Sequence, residues 1–401
     1  MNRSSTATVV FSCLGHLYIH VCTAFYFVIV LALERDWQLP YHQLIEIWTL
    51  GSLMVGAAAL PAGVLSDRFG APAMMVVFFL GLGVCSIAAG LTDSTSSLMV
   101  ALTGLGVFAA IYHPVGIPWL VRNAGANRGK ALGFNGIFGA LGAAVAGITA
   151  GFLIDVISWR AAFMVPGFVS LATGVALLAF IAKHRIPHRP TTAVTGEYHS
   201  RADLVRVFVV LLVTMFCAGL VYHTTQTALP KVFDERHGGL VGDGAFGVGL
   251  LVAGVYTAAA FMQAIGGYLA DRLPLKTVYV GAILIQVPLL WLAASLGGVP
   301  LLVVAALMVM ANAGALPAEN MLLARYTPNA RHGLAFGVKF VLSFGAAPLG
   351  VLLVSKITES SGGFYWVFAL LAGVALGSVI MATWLPAAKT GPRVAVAPAA
   401  K

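Results

Sequence analysis

Twelve apolar runs, each long enough to cross a bilayer, leave this chain few ways to fold. They cover residues 7–33, 42–66, 71–92, 96–121, 130–156, 160–182, 205–230, 243–270, 276–296, 299–324, 332–356 and 363–386. They are numbered helix 1 to helix 12 here. A spanning helix needs about 20 apolar residues. Charged residues make up 9% of the chain and hydrophobic ones 60%, whereas a soluble domain carries roughly 25% charged. A soluble protein is therefore excluded, and the expected fold is an all-α membrane protein. Its four cysteines, Cys13, Cys22, Cys85 and Cys217, all lie inside apolar runs, so no disulfide framework is indicated. The first run is too long for a signal peptide and reads as a retained helix.

One polar, basic linker interrupts the pattern. It runs from Lys183 to Arg206 and contains Pro187 and Pro190. It divides the chain into a six-helix bundle at 1–182, a linker at 183–204 and a second bundle with a short tail at 205–401. Of the 23 lysines and arginines, Arg35, Arg160, Lys231, Arg236 and Lys356 fall in loops on one side, and Lys339 lies at membrane depth. The other seventeen, Arg68, Arg122 and Arg272 among them, fall on the opposite side with both termini. By the positive-inside rule both termini and the linker are expected in the cytoplasm. The net charge of +9 thus reads as a topology signal with some contact to lipid headgroups, not as nucleic-acid binding.

The two halves echo each other. Gly63-Val64-Leu65-Ser66-Asp67-Arg68 returns 204 residues later as Gly267-Tyr268-Leu269-Ala270-Asp271-Arg272. At an offset of 203, Pro114 matches Pro317, Arg122 matches Arg325, Arg128 matches Arg331 and His20 matches His223. Small residues in the signature let two helices approach closely, and the Asp-Arg pair sits where charge stays wet. The signature resembles the loop between the second and third helices of major facilitator transporters.

That resemblance implies two pseudo-symmetric six-helix bundles, a central cavity lined by helices 1, 4, 7 and 10, and alternating access to it. It also implies gating roles for Gly63, Asp67, Arg68, Gly267, Asp271 and Arg272, which in the family lock one state through contacts to nearby helix ends. Ala71-Pro72 stands where basic residues usually follow. Helix 5, with Gly133, Gly136, Gly139, Gly142, Gly147 and Gly151, carries a close-packing pattern. It is expected along the interface between the halves. Trp159-Arg160 resembles the family's opening of helix 6. Within the family the chain looks most like the fosmidomycin-resistance-like branch of small exporters. The likeness rests on His113-Pro114, on the early histidine of helix 1 and on Arg-His-Gly-Leu-Ala-Phe-Gly at 331–337. The arginine many proton/drug antiporters carry early in helix 4 is replaced by Leu98-Met99-Val100-Ala101.

Ionisable side chains at membrane depth are costly and mark pathways or partners. Here they are His16, His20, Glu46, His113, His223, Glu319 and Lys339. Five of these seven lie on helices 1, 4, 7 and 10. The expected substrate contacts are His16, His20, Tyr112, His113, Tyr222, His223, Gln226, Glu319, Asn320 and Lys339. The expected proton carriers are His20, His223 and Glu319, since histidine titrates near neutral pH. His113 either meets substrate or answers the backbone carbonyl that Pro114 frees. Glu319 and Lys339 are expected to pair. Glu46 reads as interfacial.

Together these residues point to a proton-coupled secondary transporter of a small anionic organic molecule. It is expected as a monomer in the bacterial inner membrane, without cofactor. A second reading is a transporter of transition metals or their chelates, since imidazoles and Cys13 suit such ions. A membrane enzyme or sensor is disfavoured: the chain has no P-loop, nucleophile elbow or His-Glu-x-x-His run.

Overall fold

Every regular element is an α-helix among the described residues of the computed structural model, which are 3–124, 128–183, 201–242, 244–327 and 332–386. Eleven helices are long and apolar enough to span a membrane: Thr6–Trp37, Ala71–Gly90, Thr95–Asn123, Lys130–Val156, Trp159–Lys183, Leu204–Arg236, Ala245–Arg272, Leu275–Ala293, Gly298–Tyr326, Ala335–Ser361 and Tyr365–Thr383. A bent pair, Tyr41–Ala57 and Ala59–Phe69, supplies the twelfth as helix 2. Most of the 183–204 linker, the tail beyond Leu385-Pro386 and Arg331 lie outside the described residues.

Two expected boundaries are corrected. Helix 1 runs on to Trp37, and helix 7 does not stop at Pro230 but continues to Arg236. Proline removes one intrahelical bond. Here the helix tolerates that loss, and the added turns carry charges into pairs at the membrane edge. Arg35, Lys231 and Arg236, read as loop residues, thus sit on helix ends.

Several spans break where the sequence removes a donor. Helix 2 bends by 45° at Ala58, where Pro61 cannot bond the Ala57 carbonyl. Helix 4 is split into Thr95–Ala109 and Tyr112–Asn123. The break falls at Ala110, whose carbonyl Pro114 leaves without its helical partner. Helix 11 breaks at Ala346, just ahead of Pro348.

The repeat is visible in the packing. A Cβ built on Gly63 would lie 3.7 Å from Cβ of Pro114, and one built on Gly267 would lie 4.0 Å from Cβ of Pro317. Each signature glycine therefore meets the matched proline in its own half. This is an all-α membrane protein of two pseudo-symmetric six-helix bundles.

Among the described residues, the tightest contacts between the halves gather toward one end. We call the end holding the signature loops the terminal end, and the opposite one the far end. Toward the far end helices 5 and 8 pack backbone to backbone: a Cβ on Gly147 would sit 2.9 Å from the Gly249 carbonyl oxygen. Toward the terminal end, Gly133 and Gly136 on helix 5 have no such neighbour within 4 Å.

Polar contacts reinforce the far end. Lys231 Nζ lies 2.7 Å from Glu34 Oε2 and 3.4 Å from Asp234 Oδ2, and Arg35 pairs with Asp234 at 3.3 Å. The Asp155 carboxylate of helix 5 accepts from the backbone N–H groups of Ala245 and Phe246 at 3.0 and 2.8 Å. It thereby caps helix 8 from the other half, where a negative charge suits a helix N-terminus. Tyr41 donates to the Thr227 carbonyl at 3.2 Å. Glu46 accepts from Ser355 at 3.1 Å and pairs with Lys356 at 3.4 Å, in keeping with an interfacial residue.

Overpacking such a contact costs about 1–3 kcal/mol. Gly249→Val should lower the melting temperature in detergent by several degrees, and Gly254→Val, which meets open space, should not. Equal melting of both variants would contradict the close approach of helices 5 and 8.

Candidate functional site

Helix 1 places His16 and His20 one turn apart on one face, and the helix 4 break turns His113 toward them. The ring centroids are 5.2 Å apart for His16 and His20, 5.4 Å for His16 and His113, and 5.9 Å for His20 and His113. Tyr112 stacks on His16 at 5.0 Å. Helix 5 completes the wall. A Cβ on Gly139 would run into the His16 ring, and one on Gly142 into His20. The glycine pattern of helix 5 therefore seats these histidines as well as helix 8.

Asn135, which sequence reasoning missed, organises this cluster. Its backbone carbonyl accepts from His16 Nδ1 at 2.8 Å, and its side-chain amide donates to the Tyr112 hydroxyl at 2.8 Å. The hydroxyl of Ser12 donates to the Gly116 carbonyl at 3.0 Å beside it. His113 behaves differently. Both of its ring nitrogens are buried without a hydrogen-bond partner. The option that His113 serves a carbonyl freed by Pro114 is thus not realised.

The second half approaches through helix 11. His113 stacks on Phe340 and lies against Phe344, both at 4.9 Å between centroids, and Phe344 also meets His223 at 5.7 Å. Neither phenylalanine was singled out from the sequence, because one apolar aromatic in an apolar helix carries no signal. A cavity of about 30 Å³ lies between the halves. His20, Trp48, Tyr222, His223, Gln226 and Phe344 help to line it. The matched histidines His20 and His223 therefore face one space from opposite halves. Gln226 donates to the Tyr222 hydroxyl at 3.2 Å.

Glu319, Asn320 and Lys339 form a polar centre inside the second half. Lys339 Nζ lies 2.6 Å from Glu319 Oε1 and 2.5 Å from Asn320 Oδ1. Tyr279 of helix 9 donates to Glu319 Oε2 at 3.0 Å. Glu319 is 2% exposed and Lys339 6%, so both charges depend on one another. An enclosed pocket lined by Cys217, Gln286 and Asn312 adjoins Glu319. The sequence brought Glu319 and Lys339 together, and the structure pairs them.

The signature charges face water. Asp67, Arg68, Asp271 and Arg272 are all exposed. Arg68 lies over Phe69 and Arg272 over Tyr268, at 5.4 and 3.5 Å from the ring centres. No ion pair joins any of the four to the opposite half among the described residues. The four cysteines are free thiols.

Removing one partner of a buried ion pair costs about 3–5 kcal/mol, because the other charge stays behind. Lys339→Ala should therefore destabilise the fold strongly in a thermal melt. The double variant Glu319→Gln/Lys339→Met should recover most of the loss. Additive losses would contradict mutual dependence.

Comparison with known proteins agrees with this architecture. The family model described as Major Facilitator Superfamily matches residues 12–245 and 211–401. The 4-hydroxybenzoate transporter PcaK of Pseudomonas aeruginosa is 25% identical over 402 residues, 89% of this chain and 84% of that protein. The nitrite extrusion protein of Bacillus subtilis is 24% identical, covering 84% of this chain and 82% of its own. The puromycin resistance protein Pur8 of Streptomyces alboniger is 30% identical over 53% of this chain; the match spans 38% of that protein's length. Among solved structures, a bacterial homologue of the human lysosomal transporter Spinster, inward-facing and unoccupied, superposes with a TM-score of 0.72. That match covers 96% of this chain and 95% of the other at 14% identity, and so speaks for the fold alone. With both halves matched by one family model and the twelve-span fold in place, the chain belongs to the Major Facilitator Superfamily.

Proposed function

We propose that the protein moves a small anionic organic molecule across the bacterial inner membrane, coupled to protons, by alternating access. The observation that carries this reading is the Glu319–Lys339 pair at 2.6 Å. A buried lysine held by a carboxylate is a site where an incoming anion can compete. When a substrate carboxylate takes Lys339, Glu319 loses its counter-charge. A lone carboxylate in an apolar site is costly and takes up a proton instead. Substrate and proton are thereby linked in one centre.

The histidine-lined cavity serves as the passage. His16, His20, Tyr112 and His113 belong to the first half, and Tyr222, His223 and Gln226 to the second, so a molecule lodged between them touches both. Substrate shifts the balance of states only through its different affinity for each. With residues 1–182 and 205–401 as the rocking bodies, 183–204 as their link and the termini cytoplasmic, the closed far end makes this the inward-facing state. Asp67, Arg68, Asp271 and Arg272 then find partners only when the terminal end closes. Gly63 and Gly267 keep the signature helices close enough to do so.

PcaK and the nitrite extrusion protein are named for anions, and Pur8 for antibiotic resistance, which keeps the small-exporter branch in view. A metal as cargo finds no support in these names.

Proteoliposomes loaded with a pH dye test the reading. Addition of 4-hydroxybenzoate or a related aromatic carboxylate should move protons with the substrate. Glu319→Gln should abolish accumulation driven by a pH gradient while retaining substrate exchange. Uptake of every tested anion that ignores the pH gradient would contradict the coupling.

A further inference from the structure

The three imidazoles of the first half form a cluster of their own, of which His20 lines the cavity. One ligand nitrogen from each of His16, His20 and His113 lies within 4.8 Å of the others. A tetrahedral zinc site needs nitrogens about 2.0–2.1 Å from the ion, so modest ring rotations would close the set. No carboxylate or thiol shares the cluster among the described residues. Three neutral imidazoles suit zinc and its neighbours in the first transition row, not magnesium or calcium.

Two features mark the cluster as a built site and not ring packing alone. First, His16 Nδ1 is anchored on the Asn135 carbonyl at 2.8 Å. That bond settles the tautomer and leaves Nε2 for a ligand, the outer-shell arrangement typical of metal-bound histidine. Second, His113 is 7% exposed, with both ring nitrogens unanswered by the protein. A buried polar group without a partner is expensive, and a metal ion would relieve it.

We propose that His16, His20 and His113 form a binding site for one divalent transition-metal ion of the zinc type. Its fourth position stays open for water or an anion. All three ligands belong to helices 1 and 4 of one half, so rocking of the halves leaves the site assembled. His20 also lines the cavity between the halves, which supplies an entry path. The site does not depend on what the protein transports.

Purified full-length protein in detergent, titrated with Zn²⁺ against a chromogenic chelator, should bind one ion per chain at the trio. His16→Gln and His113→Gln should each weaken binding by at least ~100-fold, beyond the 10–100-fold typical of outer-shell losses. His237→Gln, on an exposed far-end turn, should bind as the parent does. Co²⁺ added to the unmutated protein gives a second readout that does not need the variants to fold. The strong visible absorption of a tetrahedral complex supports the site. A weak spectrum of octahedral aquo-cobalt, or zinc binding that the trio variants leave unchanged, overturns it.

Discussion

A charge or polar group inside a membrane must find its partner within the protein, because lipid offers none. That constraint arranges this molecule. Glu319 and Lys339 are held together in the second half, with Asn320 accepting from Lys339 and Tyr279 donating to Glu319. His16 leans on the Asn135 backbone. Lys231, Glu34, Asp234 and Arg35 gather at the far end, where water reaches the helix tips. What the apolar helices bury sets the scaffold, and what they cannot leave unpaired sets where the halves meet.

Small residues make those meetings possible. Association of membrane helices relies on packing, because lipid tails are as apolar as the side chains they surround. Gly147 and Gly151 bring helix 5 against helix 8, while Gly139 and Gly142 on the same helix seat His16 and His20. One glycine-rich helix thus serves two faces, the interface between halves and the wall of the histidine cluster. Any rocking of the halves about this helix changes the first contact and preserves the second.

Much of this was legible in the sequence. The twelve spans follow from length and apolarity, and the twofold repeat from matched residues such as Pro114 and Pro317. His20 and His223 share a cavity, as their equal offsets imply. The rest was hidden for physical reasons. Charge at a helix end looks like charge in a loop, so the far-end clasp of Glu34, Arg35, Lys231 and Asp234 was read as connecting segments. Asn135 acts partly through its backbone carbonyl, which every residue possesses. Phe340 and Phe344 are single aromatics in an apolar run. That Tyr279 donates to Glu319 depends on which way each helix is turned, and spacing alone leaves that open.

The central claim is that the two bundles move as bodies about the cavity, so that one end opens as the other closes. Pulsed electron resonance distances between spin labels on exposed positions test it most directly in a variant lacking the four native cysteines. One label pair would stand at Val64 and Tyr268 at the terminal end, and a second at Ser96 and Leu240 at the far end. Conditions that change occupancy, such as pH and added substrate, should shorten the first distance and lengthen the second together. Two distances that stay fixed, or that rise and fall in the same sense, would contradict the account.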